Sequence, residues 1–162
     1  MYRLLMLDVD GVLNTSSDRE PEYMNPKHLS ILNDLQDELG FETVLSSTWR
    51  LFFDFKTFNE MFLAFGAKYP VIDYTPKAAL GLWGAGHPCR GDEIDTYLKS
   101  RNLVPGENCS ICILDDMGPD QFGPLKKYHV QTSMKDGLKE GHKKVVRMMF
   151  AKQERNKNES GN

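Results

Sequence analysis

Leu7-Asp8-Val9-Asp10-Gly11 carries two carboxylates one residue apart at the end of an apolar run, followed by a glycine. If that run is a buried strand, alternation sends both side chains to the same side, where like charges repel unless a cation lies between them. A hard, oxygen-ligated ion such as Mg²⁺ suits such a site. A second apolar run, Ile111-Cys112-Ile113-Leu114, also leads straight into carboxylates, Asp115 and Asp116, with Asp120 four residues on. Parallel sheets bind ligands at the carboxyl edge of their strands. Two acidic exits on neighbouring strands would therefore converge into a divalent-metal site.

Two more segments offer groups for an anion. Thr43-Val44-Leu45-Ser46-Ser47-Thr48-Trp49-Arg50 reads as a strand that exits into hydroxyls and a guanidinium, which hold phosphate oxygens through neutral and charge-assisted hydrogen bonds. Ser and Thr at such a place are equally at home as helix caps. Arg90, in Arg90-Gly91-Asp92-Glu93-Ile94, is a cation just ahead of a helix that leads to the Asp115 strand. Taken alone it reads as a surface charge.

The elements that must position these groups are legible as alternating strands and helices. Buried strands are expected at Leu4 to Leu7, Thr43 to Leu45, Val71-Ile72, Ile111 to Leu114 and His129 to Gln131. Between them, Asn25 as cap, Pro26 and the stripe Leu29, Leu32, Leu35, Leu39 predict a first helix closed by Gly40. Phe58, Met61, Phe62 and Phe65 predict a second helix, Ile94, Tyr97 and Leu98 a third beginning near Asp92, and Lys139 to Lys152 a fourth. This order is that of an α/β, Rossmann-like three-layer sandwich with a central parallel sheet.

Composition bounds the rest. The chain has 162 residues with 40% hydrophobic and 27% charged, which is one globular domain, expected over 1–152 with a disordered polar tail over 153–162. The three cysteines, Cys89, Cys109 and Cys112, are an odd number and suit a reducing compartment. Cys109 and Cys112 have the spacing of a zinc half-site but no second pair, so they read as strand residues. No apolar run approaches a membrane span of about 18 residues, and the start lacks a signal peptide. A cytoplasmic monomer is expected. Charge is uneven, −9 over 1–125 and +6 over 126–162, and the basic stretch reads as a solvated helix face.

The order acid pair, hydroxyl, cation, acid pair, each beside a strand exit, resembles the haloacid dehalogenase-like (HAD) phosphohydrolase superfamily from Leu4 to Asp120. Val9 to Asn14, Leu45 to Arg50, Arg90 to Ile94, Leu114 to Asp116, and Val130 to Thr132 with Gly137-Leu138 are similar to the small HAD domains of bacterial and phage proteins, some attached to RNA-repair enzymes. The resemblance implies a Mg²⁺-dependent phosphatase with Asp8 as nucleophile and Asp10 as general acid and base. It makes Ser46 the phosphate hydroxyl with Ser47 in reserve, and Arg90 the cation with Lys77 as alternative. Asp8, the Asp10 carbonyl, Asp116 and Asp115 would hold the metal.

The intervals Asn14 to Glu42 and Leu51 to Cys89 leave no room for a separate cap domain, so an open site is expected. An open site suits a bulky phosphorylated substrate such as a nucleic-acid end, with Arg50 and Trp49 as substrate contacts. Trp49 and Trp83 read either as base-stacking surfaces or as core. A small-molecule nucleotidase and a non-catalytic binding domain of the same fold are the competing readings. A receiver-type signalling domain has its acid pair adjacent and its phosphoacceptor on a middle strand, which does not fit.

Overall fold

The computed structural model describes residues 1–18, 20, 23–77 and 89–160. Five parallel strands, β1 (Tyr2–Leu7), β2 (Glu42–Leu45), β3 (Asp73–Tyr74), β4 (Cys109–Asp115) and β5 (His129–Gln131), form one sheet in the order β3-β2-β1-β4-β5. The helices are α1 (Pro26–Leu39), α2 (Phe55–Ala64), α3 (Arg90–Ser100) and α4 (Glu140–Ser160). A 3₁₀ helix, Thr48–Leu51, follows β2, and a kinked 3₁₀ segment, Pro119–Tyr128, precedes β5.

Alternation along β1 divides the core into two layers. Leu5 and Leu7 face Leu29, Leu32, Phe58, Phe62, Val146 and Phe150 on one side of the sheet. Leu4 and Met6 face Ile94, Tyr97, Leu98 and Phe122 on the other. The sheet is therefore covered on both faces, and α1 has the expected caps: the Asn25 side chain accepts from the Lys27 N–H, and Gly40 closes the helix at φ +63°. Cys109 and Cys112 are buried in β4, one in each layer, as strand residues.

Three expectations are corrected. β3 pairs at Asp73–Tyr74 rather than Val71-Ile72: Val71 is buried as core, but its N–H is held by the Asn59 side chain at 2.8 Å, so the ladder starts later. Helix α3 starts at Arg90, not near Asp92, because the Asp92 carboxylate accepts the Cys89 N–H at 3.2 Å and caps the turn before it. The polar stretch from 153 is not disordered but continues α4 to Ser160. Gln153 is buried and bonds both the N–H and the carbonyl of Ile111, at 3.0 and 2.8 Å, and Glu154 pairs with Arg3 at 2.7 Å. Two of the six basic residues of α4 meet acids of α1, through Lys143–Asp34 and Arg147–Glu38.

β1 and β4 are neighbours, and the chain winds outward from them in both directions. The gap between them is the switch point of the sheet, where a crevice opens outside the carboxyl ends. Among the described residues neither interval named above adds a further domain over that crevice. Trp83, the other tryptophan read as a stacking surface or as core, lies outside the described residues.

Candidate active site

Register sets the site. Leu7 pairs with Leu45 and with Leu114, so the next residues, Ser46, Asp8 and Asp115, stand side by side across three adjacent strands. The ladders continue into them: Asp8 N–H donates to Leu114 O at 2.9 Å and Ser46 N–H to Leu7 O at 2.8 Å. Three residues beyond Asp8, the chain turns at Gly11 with φ +73°. A Cβ there would lie 2.6 Å from the Cβ, Cγ and Oδ2 of Asp116, so only glycine lets the β1 exit pass beneath that carboxylate.

Arg90, the first residue of α3, reaches into the row from the side. Its Nε is 3.3 Å from Asp115 Oδ2 and its Nη2 is 3.8 Å from Asp8 Oδ1, with all three side chains buried. Arg90 Nη1 and Ser46 Oγ are both buried and have no hydrogen-bond partner. Burying donors unpaired is costly, and an arriving anion would satisfy both. Lys77 is exposed, so Arg90 rather than Lys77 is the cation beside the acids.

One oxygen from each of Asp8, Asp115 and Asp116 falls within 4.8 Å of the others. Burial pushes the carboxyl pKa of all three above the ordinary range. For Asp8, Arg90 and a hydrogen bond from the Ser47 hydroxyl pull the other way. Asp115 is pushed up to about 7, first by burial and then by the charge of Asp8, against the opposing pull of Arg90. Asp116 is raised by burial and by Asp10. Three crowded carboxylates supply the oxygen donors a hard divalent cation needs, and Asp115 Oδ2 has no hydrogen-bond partner. The residues therefore fit Mg²⁺.

Asp10 stands apart from that cluster. Asn14 Nδ2 donates to its Oδ1 at 2.8 Å and Trp49 Nε1 to its Oδ2 at 3.0 Å, so each oxygen has its own donor and the carboxylate is fixed in orientation. Asn14 also accepts the Gly11 N–H at 3.1 Å, closing the turn on itself. Asn14 thus orients Asp10, a role that its type and spacing in the sequence do not signal.

The family model for the HAD domain in Swiss Army Knife RNA repair proteins matches residues 4–142. The chain belongs to this family. Comparison with curated proteins and with solved structures gives no match. The HAD domain accounts for the α/β architecture and for acids at two neighbouring strand exits.

Two expected substrate contacts are corrected. Trp49 is 5% exposed and packs on Phe53 and Phe58, so it offers no stacking face; its indole N–H goes to Asp10. Arg50 is buried and occupied by the chain itself, as described below. Among the described residues no helix is long and apolar enough to cross a membrane.

Proposed function

We propose that this HAD domain is a Mg²⁺-dependent phosphomonoesterase that works through an aspartyl-phosphate on Asp8, as a monomer whose site is complete within one chain. The observation that carries the reading is the pair of buried, unpartnered donors, Arg90 Nη1 and Ser46 Oγ, flanking the carboxylate row that contains Asp8. In this reading an Asp8 oxygen attacks phosphorus while the bond to the leaving oxygen breaks, and Asp10 gives that oxygen a proton. Asp10 then takes a proton from the water that attacks phosphorus, releasing phosphate and restoring Asp8. Arg90, Ser46 and Ser47 stabilise the charge on the transferring group. Asp8, Asp115 and Asp116, with the Asp10 carbonyl, would hold Mg²⁺, which supplies neutralising charge so that a phosphate dianion can approach a carboxylate.

The substrate in this reading is a phosphorylated nucleic-acid end. Two observations support it: the family is named for RNA repair proteins, and no further domain closes over the crevice among the described residues. The test is hydrolysis, with Mg²⁺ and with EDTA, of oligonucleotides phosphorylated at either end and of the matching mononucleotides. A higher kcat/KM for the oligonucleotide is expected. A clear preference for the mononucleotide would make the domain a small-molecule nucleotidase, and hydrolysis of neither would make it a binding domain.

A further inference from the structure

Arg50, at the carboxyl edge of the sheet, bonds to three separate segments of the chain. Its Nε donates to Thr75 O at 2.9 Å, just past β3. Its Nη1 donates to the carbonyls of Ser46 at 3.2 Å and Ser47 at 2.7 Å, at the exit of β2. Its Nη2 pairs with Glu93 at 2.6 Å, in the first turn of α3, three residues after Arg90. The side chain is 3% exposed, and burial lowers its pKa against the pull of Glu93.

We propose that Arg50 is a positioning residue which, through Glu93, fixes the Ser46–Ser47 turn and the Arg90 helix at one separation, so that the hydroxyl and cationic halves of the anion site act as one rigid cradle. The proposal rests on the phosphatase reading only in taking that cradle to receive phosphate. Arg50, Glu93 and Arg90 line the same cleft of 130 Å³, together with Leu51, Met117 and Gln121. The Arg50–Glu93 pair is thus the tie across the cleft, and Arg90, paired with Asp115 and Asp8, keeps Nη1 unpartnered beside it. A guanidinium is suited to this because its planar fork serves several carbonyls and a carboxylate at once, which an ammonium cannot do.

The sign of one measurement separates positioning from simple electrostatics. Glu93 is a negative charge close to a site for an anion, so removing it should tighten anion binding if charge is all that matters. If Glu93 is one end of a tie, removing it should weaken binding. The experiment measures the Kd for inorganic phosphate in the presence of Mg²⁺, together with the melting temperature, for the full chain and for Glu93→Ala, Glu93→Gln, Arg50→Lys and the double variant Arg50→Lys/Glu93→Ala.

Glu93→Ala should weaken phosphate binding about tenfold, and Glu93→Gln, whose amide oxygen still accepts from Arg50, should stay within about twofold of the parent. Arg50→Lys should weaken it at least tenfold, with the double variant no worse, because both substitutions cut the same link. Unchanged or tighter binding by Glu93→Ala overturns the proposal, as do effects that multiply in the double variant. If Arg50→Lys does not fold, the two Glu93 variants decide alone. A parent protein that binds phosphate but hydrolyses no monoester sinks the phosphatase reading and leaves this test intact. A parent that does not bind phosphate overturns both.

Discussion

Arg50 and Arg90 are both buried at the carboxyl edge of one sheet, one in the 3₁₀ helix after β2 and the other at the start of α3. Arg50 spends its donors on the carbonyls of Ser46, Ser47 and Thr75 and on Glu93. Arg90 makes two looser contacts, 3.3 Å to Asp115 and 3.8 Å to Asp8, and keeps Nη1 unpartnered. A saturated guanidinium builds a site, and an unsaturated one waits for a ligand. Sequence type and burial are the same for the two, so only the accounting of donors separates their roles.

The largest expected effect is at the unsaturated arginine. Arg90→Ala should lower kcat/KM by about 10²- to 10³-fold, the usual loss for one donor aimed at developing charge. Exchanging arginine for lysine then sharpens the contrast. Arg90→Lys keeps the charge and should retain activity within about tenfold with little change in denaturant midpoint. Arg50→Lys leaves several buried carbonyls without donors and should cost about 2–4 kcal/mol of stability in urea unfolding. Equal behaviour of the two lysine variants would erase the distinction.

The acids these arginines serve give a smaller effect with a definite sign. The folded-state pKa values of Asp8, Asp115 and Asp116 lie above the unfolded ones, so the protonated forms are favoured by folding. In the metal-free protein their contribution is therefore fully present below about pH 4 and is lost as pH rises through the folded values, about 7 for Asp115. The melting temperature without metal should fall across that window, and saturating Mg²⁺ at pH 7 should restore it by mass action, about 2.7 kcal/mol at a hundred times Kd. A metal-free melting temperature that climbs from pH 5 to 7, with no response to Mg²⁺, contradicts the crowded-acid reading. The smallest effect is at Trp49→Phe, which leaves the packing on Phe53 and Phe58 but frees one Asp10 oxygen. It should reduce kcat severalfold with KM nearly unchanged.

Local signals made α1 legible, because Asn25, Pro26 and Gly40 act on the backbone beside them. The convergence of Asp8 with Asp115 and Asp116 was also legible, since two acidic exits meet once β1 and β4 are neighbours. What escaped depends on distant partners. Gln153 is helical and buried because of Ile111, which no pattern in a polar tail reveals. Trp49 and Arg50 sit beside the hydroxyls in sequence and so read as substrate contacts, but they point into the protein, to Asp10 and to Glu93. The spacing of Asp8 and Asp10 suggested that both carboxylates face one cation, yet the strand ends at Leu7 and the turn at Gly11 carries the Asp10 carboxylate to Asn14 and Trp49.

The central claim is that Asp8 carries the phosphoryl group. The most direct measurement is to quench turnover of a phosphate-labelled substrate in acid and to map the label on the chain. The account predicts label on the peptide containing Asp8, released by hydroxylamine as an acyl phosphate is, and absent with EDTA or in Asp8→Asn. Turnover without label on Asp8, with Asp8→Asn hydrolysing at the parent rate, would contradict it.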